Sequence, residues 1–135
     1  MILNIDSISQ LQNKKIALVG YGIEGKATEK YLKSFDINLD ITPLDQAISP
    51  SYLDKIEDFD LAIVSAGHKR EGITIPYTTA TNLFFAFCKG TIIGVTGSKG
   101  KSTTTWMIFL ALRILGPHVH CANTVSYTHL RAHET

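Results

Sequence analysis

Cysteine is scarce in this chain, and the two present, Cys88 and Cys121, show neither disulfide-framework nor zinc-site spacing. That excludes a disulfide-stapled scaffold and reads as reduced thiols in a cytoplasmic protein. Long apolar runs are missing too. The longest block, Trp106 to Leu115, is about half a membrane span and contains Arg113. The start, Met1-Ile2-Leu3-Asn4-Ile5-Asp6, meets an acid too early for a signal segment, so neither an export leader nor a membrane partner is expected. Charge of one sign is not in excess either: 13 basic and 12 acidic residues leave +1, which gives no footprint for nucleic acid or an anionic membrane. Nothing repeats internally. What is present is 135 residues with 44% hydrophobic content, enough apolar surface for a core.

Within that frame the run Gly97-Ser98-Lys99-Gly100-Lys101-Ser102 stands out. Ile92-Ile93-Gly94-Val95 before it reads as a buried strand, and Ser102-Thr103-Thr104-Thr105 after it opens a helix to Leu115, ended by Gly116-Pro117. Strand, glycine turn and helix N-terminus make an anion cradle, because unpaired amides and the positive end of the helix dipole meet at one spot. Lys101 is placed to put a charge on the outer phosphates of a nucleotide, and the Ser102 hydroxyl to ligate Mg²⁺. The general phosphate-loop pattern asks for glycine five positions before the Gly of Gly-Lys-Ser; Val95 stands there, with Gly97 two residues on. A turn without a ligand has no need of Lys99 and Lys101 beside four hydroxyl residues.

A second glycine turn lies nearer the start. Residues 1–14 read as a lead-in turn or helix, and Lys15-Ile16-Ala17-Leu18-Val19 as a strand ending in Gly20-Tyr21-Gly22-Ile23-Glu24-Gly25, a Gly-x-Gly-x-x-Gly turn. The helix that follows puts Ala27, Tyr31, Leu32 and Phe35 on one face and Lys26, Glu29, Lys30 and Lys33 toward water. This is the opening unit of a Rossmann-like parallel sheet. A second strand near 37–44, marked as an edge or irregular strand by Pro43, ends at Asp45, where dinucleotide folds hold a ribose hydroxyl. Ser49-Pro50 predicts a short helix to about Ile56. Leu61-Ala62-Ile63-Val64 predicts a third strand, with Ser65-Ala66-Gly67 at the carboxyl edge where open α/β sheets bind ligands. Residues 69–81 read as loop or a poorly formed strand, 82–88 as a short apolar helix, and Lys89-Gly90 as a domain boundary.

The two loops together, with Val64-Ser65-Ala66-Gly67 and Val95-Thr96-Gly97-Ser98-Lys99-Gly100-Lys101-Ser102-Thr103-Thr104, resemble the Mur ligases, and among them the D-glutamate-adding branch, over residues 15–124. The family's phosphate loop reads Thr-Gly-Thr-Asn-Gly-Lys-Ser/Thr-Thr, so its first glycine falls at Gly97. Ser98 and Lys99 replace the family's Thr and Asn. The resemblance implies a Rossmann-like UDP-binding domain over 1–90 and the truncated beginning of the central ATP-binding domain over 91–124; residues 125–135, which neither continue an α/β pattern nor supply a core, read as a non-native adaptor-like tail. It implies ATP-dependent amide formation in peptidoglycan synthesis, serving cell-wall biogenesis, cell shape and cell division. The carboxylate of a UDP-linked muramoyl substrate, UDP-N-acetylmuramoyl-L-alanine, would take the γ-phosphoryl group as an acyl phosphate, and D-glutamate would displace phosphate.

By the same resemblance, Gly97, Ser98, Lys99, Gly100, Lys101, Ser102 and Thr103 would hold ATP, Lys101 would be catalytic, and Ser102 would ligate Mg²⁺. Gly22, Ile23 and Glu24 would lie against UDP, Asp45 and Gln46 near uracil and ribose, and Ser65, Ala66 and Gly67 near the diphosphate. Gln46, Glu24 and Ala66 depart from the family's commonest choices. Its downstream metal-binding Glu and His, its modified lysine and its C-terminal domain have no counterpart here, so this chain by itself is expected to be an inactive, monomeric fragment.

Other readings stay open: another Mur-type ligase such as the L-alanine-adding one, a folylpolyglutamate synthase, a non-catalytic nucleotide-binding module, and an NAD-dependent oxidoreductase using only the first loop. The folate enzymes lack the Gly-x-Gly-x-x-Gly unit, which counts against them. His118-Val119-His120-Cys121 and the pair His129 and His133 have no zinc-site context. Cys88 reads as a core thiol, and Phe84, Phe85 and Phe87 as packing.

Overall fold

In a computed structural model of the chain, residues 1–116, 118, 119 and 121 are described. They divide into two compact units, Met1–Lys89 and one beginning at Gly90, and each is taken by itself. Residues 125–135, read above as a tail, lie outside the described residues.

The first unit is α/β. Strands β1 (Lys15–Val19), β2 (Asp40–Leu44), β3 (Leu61–Val64) and β4 (Tyr77–Thr79) form one sheet in the order β2-β1-β3-β4, and every pairing is parallel. The two central strands read as unbroken apolar runs because both of their faces are covered. Ile16, Leu18, Leu61 and Ile63 pack on one side with Leu11, Leu32 and Leu83. Ala17, Val19, Ala62 and Val64 pack on the other with Ile56 and Ile75. Each fully buried Leu or Ile contributes roughly 1.5–3 kcal/mol, so these two layers hold the unit together.

Helix α1 (Ile23–Lys33) follows β1 and buries Gly25, Thr28 and Leu32. Its inward stripe is narrower than the apolar spacing predicted, for Tyr31 stays 40% exposed. Strand β2 starts at Asp40, later than expected, and carries Pro43 as an edge strand can, since a missing N–H on the outer side breaks no ladder. The predicted helix after Ser49-Pro50 is a series of i to i+3 turns instead, with Tyr52, Asp54 and Ile56 amides donating three residues back, closing in a 3₁₀ turn at Ile56–Asp58. Within the stretch 69–81, expected as loop or a poorly formed strand, residues 77–79 form a short strand. Pairing with β3 buries Thr78 completely, and only partners distant in sequence provide that. Helix α2 (Ala80–Phe87) is capped by Thr79, whose hydroxyl accepts from the Asn82 amide.

The second unit contains helix α3 (Lys101–Leu115), starting one residue before the expected Ser102. The strand expected at Ile92–Val95 is absent: residues 91–97 carry no regular structure, and Ile92 and Ile93 are exposed. A parallel strand exists only through its neighbour's hydrogen bonds, and no described residue of this unit supplies one.

Candidate functional site

In the sheet order β2-β1-β3-β4 the chain leaves β1 toward β2 on one side and returns to β3 on the other, so the topological switch point lies between β1 and β3. Open parallel sheets bind ligands in the crevice at the carboxyl ends of the strands there. At that place a cleft of about 230 Å³ is lined by Gly20, Gly22, Ile23, Glu24, Ser65, Gly67 and His68. Five of the eight residues expected at a UDP site, Gly22, Ile23, Glu24, Ser65 and Gly67, therefore meet in one cleft.

The three glycines of the turn do three different jobs. Gly20 leaves β1 at φ +87°, and a Cβ there would come within 3.1 Å of Ser65 Cβ. The Ser65 hydroxyl donates to the Gly20 carbonyl at 2.7 Å, locking the two loops together. Gly25 lets α1 sit on the turn, since its Cβ would stand 2.3 Å from the Gly20 carbonyl oxygen. Gly22 has nothing within 4 Å of where a Cβ would be, so nothing in the fold demands glycine there. It is the N-cap of α1 and provides no side-chain cap; the first-turn amides of the helix stay available to an anion.

Asp45 works from behind this turn. One carboxylate oxygen accepts from the Tyr21 amide at 2.6 Å and the other from the Ala47 amide at 2.8 Å. The Ala47 and Tyr21 N–H bonds, helped by His68, hold its carboxyl below the usual carboxylate range. Asp45 thus fixes the shape of the glycine turn, while Gln46 beside it is exposed. Ala66 is not in the cleft lining, but its amide donates to Glu24 Oε2 at 3.0 Å.

One cleft residue, His68, and its partner Tyr52 outside the cleft escaped sequence reading. His68 lines the cleft, its amide donating to the Ser65 carbonyl at 3.0 Å and its Nε2 lying 2.9 Å from the Tyr52 hydroxyl. Its position three residues after Ser65, in the turn leaving β3, was the only available signal. Tyr52 comes from the turns after β2 and had none.

The second unit holds the lysine-bearing loop. Gly97 and Gly100 have φ of +156° and +75°, and no heavy atom lies within 4 Å of a Cβ placed on Gly100. Gly100 caps α3 without a side chain, and its carbonyl takes the Thr104 amide at 2.9 Å. The Lys101 ammonium reaches back over the loop to the Gly97 carbonyl at 2.5 Å. Glycine backbone at positive φ, a helix N-terminus and a lysine are the features a phosphate-binding loop combines. Ser102 stands in the first turn as the one hydroxyl the sequence pattern assigns to Mg²⁺. No group of three or more His, Cys, Asp or Glu able to hold a metal occurs among the described residues.

Comparison with known proteins places this geometry in context. The chain is 34% identical over 110 residues to the UDP-N-acetylmuramoylalanine–D-glutamate ligase of Oenococcus oeni, which covers 72% of this chain and 25% of that protein. It is 29% identical over 141 residues to the enzyme of the same name from Acetivibrio thermocellus (82% and 29%), and 25% over 130 residues to that of Ruminiclostridium cellulolyticum (76% and 28%). The chain therefore spans about a quarter of the length of the curated relatives it matches. No family model matches, and no solved structure gives a significant match. The similarity is to D-glutamate-adding Mur ligases, as the two glycine loops and the β3 edge implied.

Proposed function

We propose that the first unit binds the UDP end of a UDP-linked muramoyl substrate and that the loop from Gly97 to Thr103 binds ATP with Mg²⁺. Both would serve a cytoplasmic, monomeric ligase that adds D-glutamate to UDP-N-acetylmuramoyl-L-alanine. The carrying observation is Gly22, a glycine that the fold does not require, set at the N-cap of α1 over the switch-point cleft. The names of the relatives supply the substrate and the acceptor. An NAD-dependent reading fits less well, because both oxygens of the acid such folds turn to a ribose are engaged by backbone amides here. No helix of the described residues is long and apolar enough to cross a membrane.

The roles follow from the placement of the residues. Ile23, 69% exposed at the cleft, offers apolar area to a base or sugar face. The α1 amides and the Gly22 backbone receive the diphosphate. ATP, when bound, supplies the γ-phosphoryl group that turns a carboxylate into an acyl phosphate, from which an amine can displace phosphate. Lys101 would neutralise charge building on that group, and Ser102 would be a ligand to Mg²⁺. No described residue is assigned to D-glutamate, so amide formation belongs to the whole ligase and residues 1–135 alone are not expected to turn over.

Calorimetric titration of the chain with UDP, NAD and Mg-ATP in separate runs tests the reading. UDP and Mg-ATP binding support it; NAD binding without UDP binding overturns it.

A further inference from the structure

One side chain at the cleft has only one of its two oxygens paired. Glu24, in the first turn of α1, reaches across to the loop after β3 and takes the Ala66 amide on Oε2 at 3.0 Å. Its other oxygen, Oε1, is buried and has no hydrogen-bond partner. A buried carboxylate oxygen left unpaired carries a desolvation cost, so this arrangement is not one the fold gains from fully. The carboxylate also lies at the helix N-terminus, where the dipole and the first-turn amides favour negative charge. The cleft thus already contains an anion, supplied by the protein, at the place where a diphosphate would bind.

We propose that Glu24 is a specificity-determining residue: its carboxylate stands in for a phosphate at the Ala66 amide, and a nucleoside diphosphate binds only by displacing it. This rests on the UDP reading above. A ligand phosphate at contact distance from Glu24 meets a like charge in a partly buried site, where Coulomb repulsion is far less screened than in water. A neutral nucleoside pays no such penalty. The orphaned Oε1 makes release of the side chain to water less costly, because that oxygen regains hydration when it leaves. Glu24 therefore lowers affinity for the diphosphate selectively and leaves the nucleoside contacts alone. It sets the balance between UDP-linked ligands and free uridine.

The test compares UDP and uridine affinities, by calorimetry, for the unaltered chain and for Glu24→Gln and Glu24→Ala. Glu24→Gln keeps the acceptor for Ala66 and removes the charge; Glu24→Ala removes both. The expected result is UDP binding tightened about tenfold in both variants, the scale of one like charge removed from a partly buried contact, with uridine affinity changed by a much smaller factor. Thermal unfolding of each variant checks that the fold persists, and tightened binding cannot arise from misfolding. Weaker UDP binding in the Gln variant, or equal changes for UDP and uridine, would overturn the proposal. Failure of all three proteins to bind either ligand would instead remove the UDP reading on which it rests.

Discussion

The chain writes the same local pattern twice, an apolar run, a glycine turn and a helix, and the two copies have different outcomes. In the first unit Ile16, Ala17, Leu18 and Val19 are fully buried between two neighbours. In the second, Ile92 and Ile93 are exposed and unstructured, and α3 buries no residue at all although Trp106, Met107 and Leu110 line it. Helix α3 forms regardless, because its hydrogen bonds are internal and Gly100 and Gly116 delimit it. A strand has no such autonomy. The difference teaches that glycine turns and helices are local facts, whereas a sheet is a property of partners.

Mutations can break or sharpen that contrast. The largest effect is expected from Leu18→Ala, which empties the centre of the first core and should cost about 2–5 kcal/mol in denaturant unfolding; Leu110→Ala, on exposed α3, should stay within about 0.5 kcal/mol. Next, Gly25→Ala should cost about 3 kcal/mol, since its Cβ meets backbone at 2.3 Å. Gly100→Ala in the second loop meets no atom and pays only for its left-handed φ, about 1 kcal/mol, leaving the first unit's unfolding midpoint unchanged. Equal costs for Gly25→Ala and Gly100→Ala would mean that the two turns are built alike. In the whole ligase, Lys101→Ala should abolish ATP-dependent phosphate release while leaving UDP affinity intact. Normal turnover would remove the role given to that loop.

The smallest effect concerns Asp45. Backbone N–H bonds lower its folded-state pKa, so its stabilisation is present above the ordinary carboxylate value near about 3.9 and is lost as pH falls below that through the lowered folded value. Asp45→Asn should therefore flatten the acid limb of the stability profile below pH about 4 and leave the neutral region nearly level in slope. An unaltered acid limb would show that other carboxylates govern it.

Much of the first unit could be read from sequence because its central strands are both continuous and apolar: β1 and β3 fall on the residues the pattern named. Strand β4 could not, since Tyr77-Thr78-Thr79 is short and polar and becomes a strand only against β3. The cleft was half legible. Gly22, Glu24 and Ser65 announce themselves through spacing, whereas the Glu24 bridge to Ala66 and the arrival of Tyr52 beside His68 depend on how separate loops fold over the sheet. Asp45, expected beside a ribose, instead has both carboxylate oxygens on the backbone amides of Tyr21 and Ala47.

The central claim is that the switch-point cleft takes UDP at a glycine the fold does not need. UDP titration of Gly22→Asp, followed by thermal unfolding of the same sample, tests it most directly. The account predicts an unfolding midpoint close to that of the unaltered chain, because the added Cβ meets nothing, together with loss of UDP binding. A folded Gly22→Asp variant that binds UDP as well as the parent would contradict it.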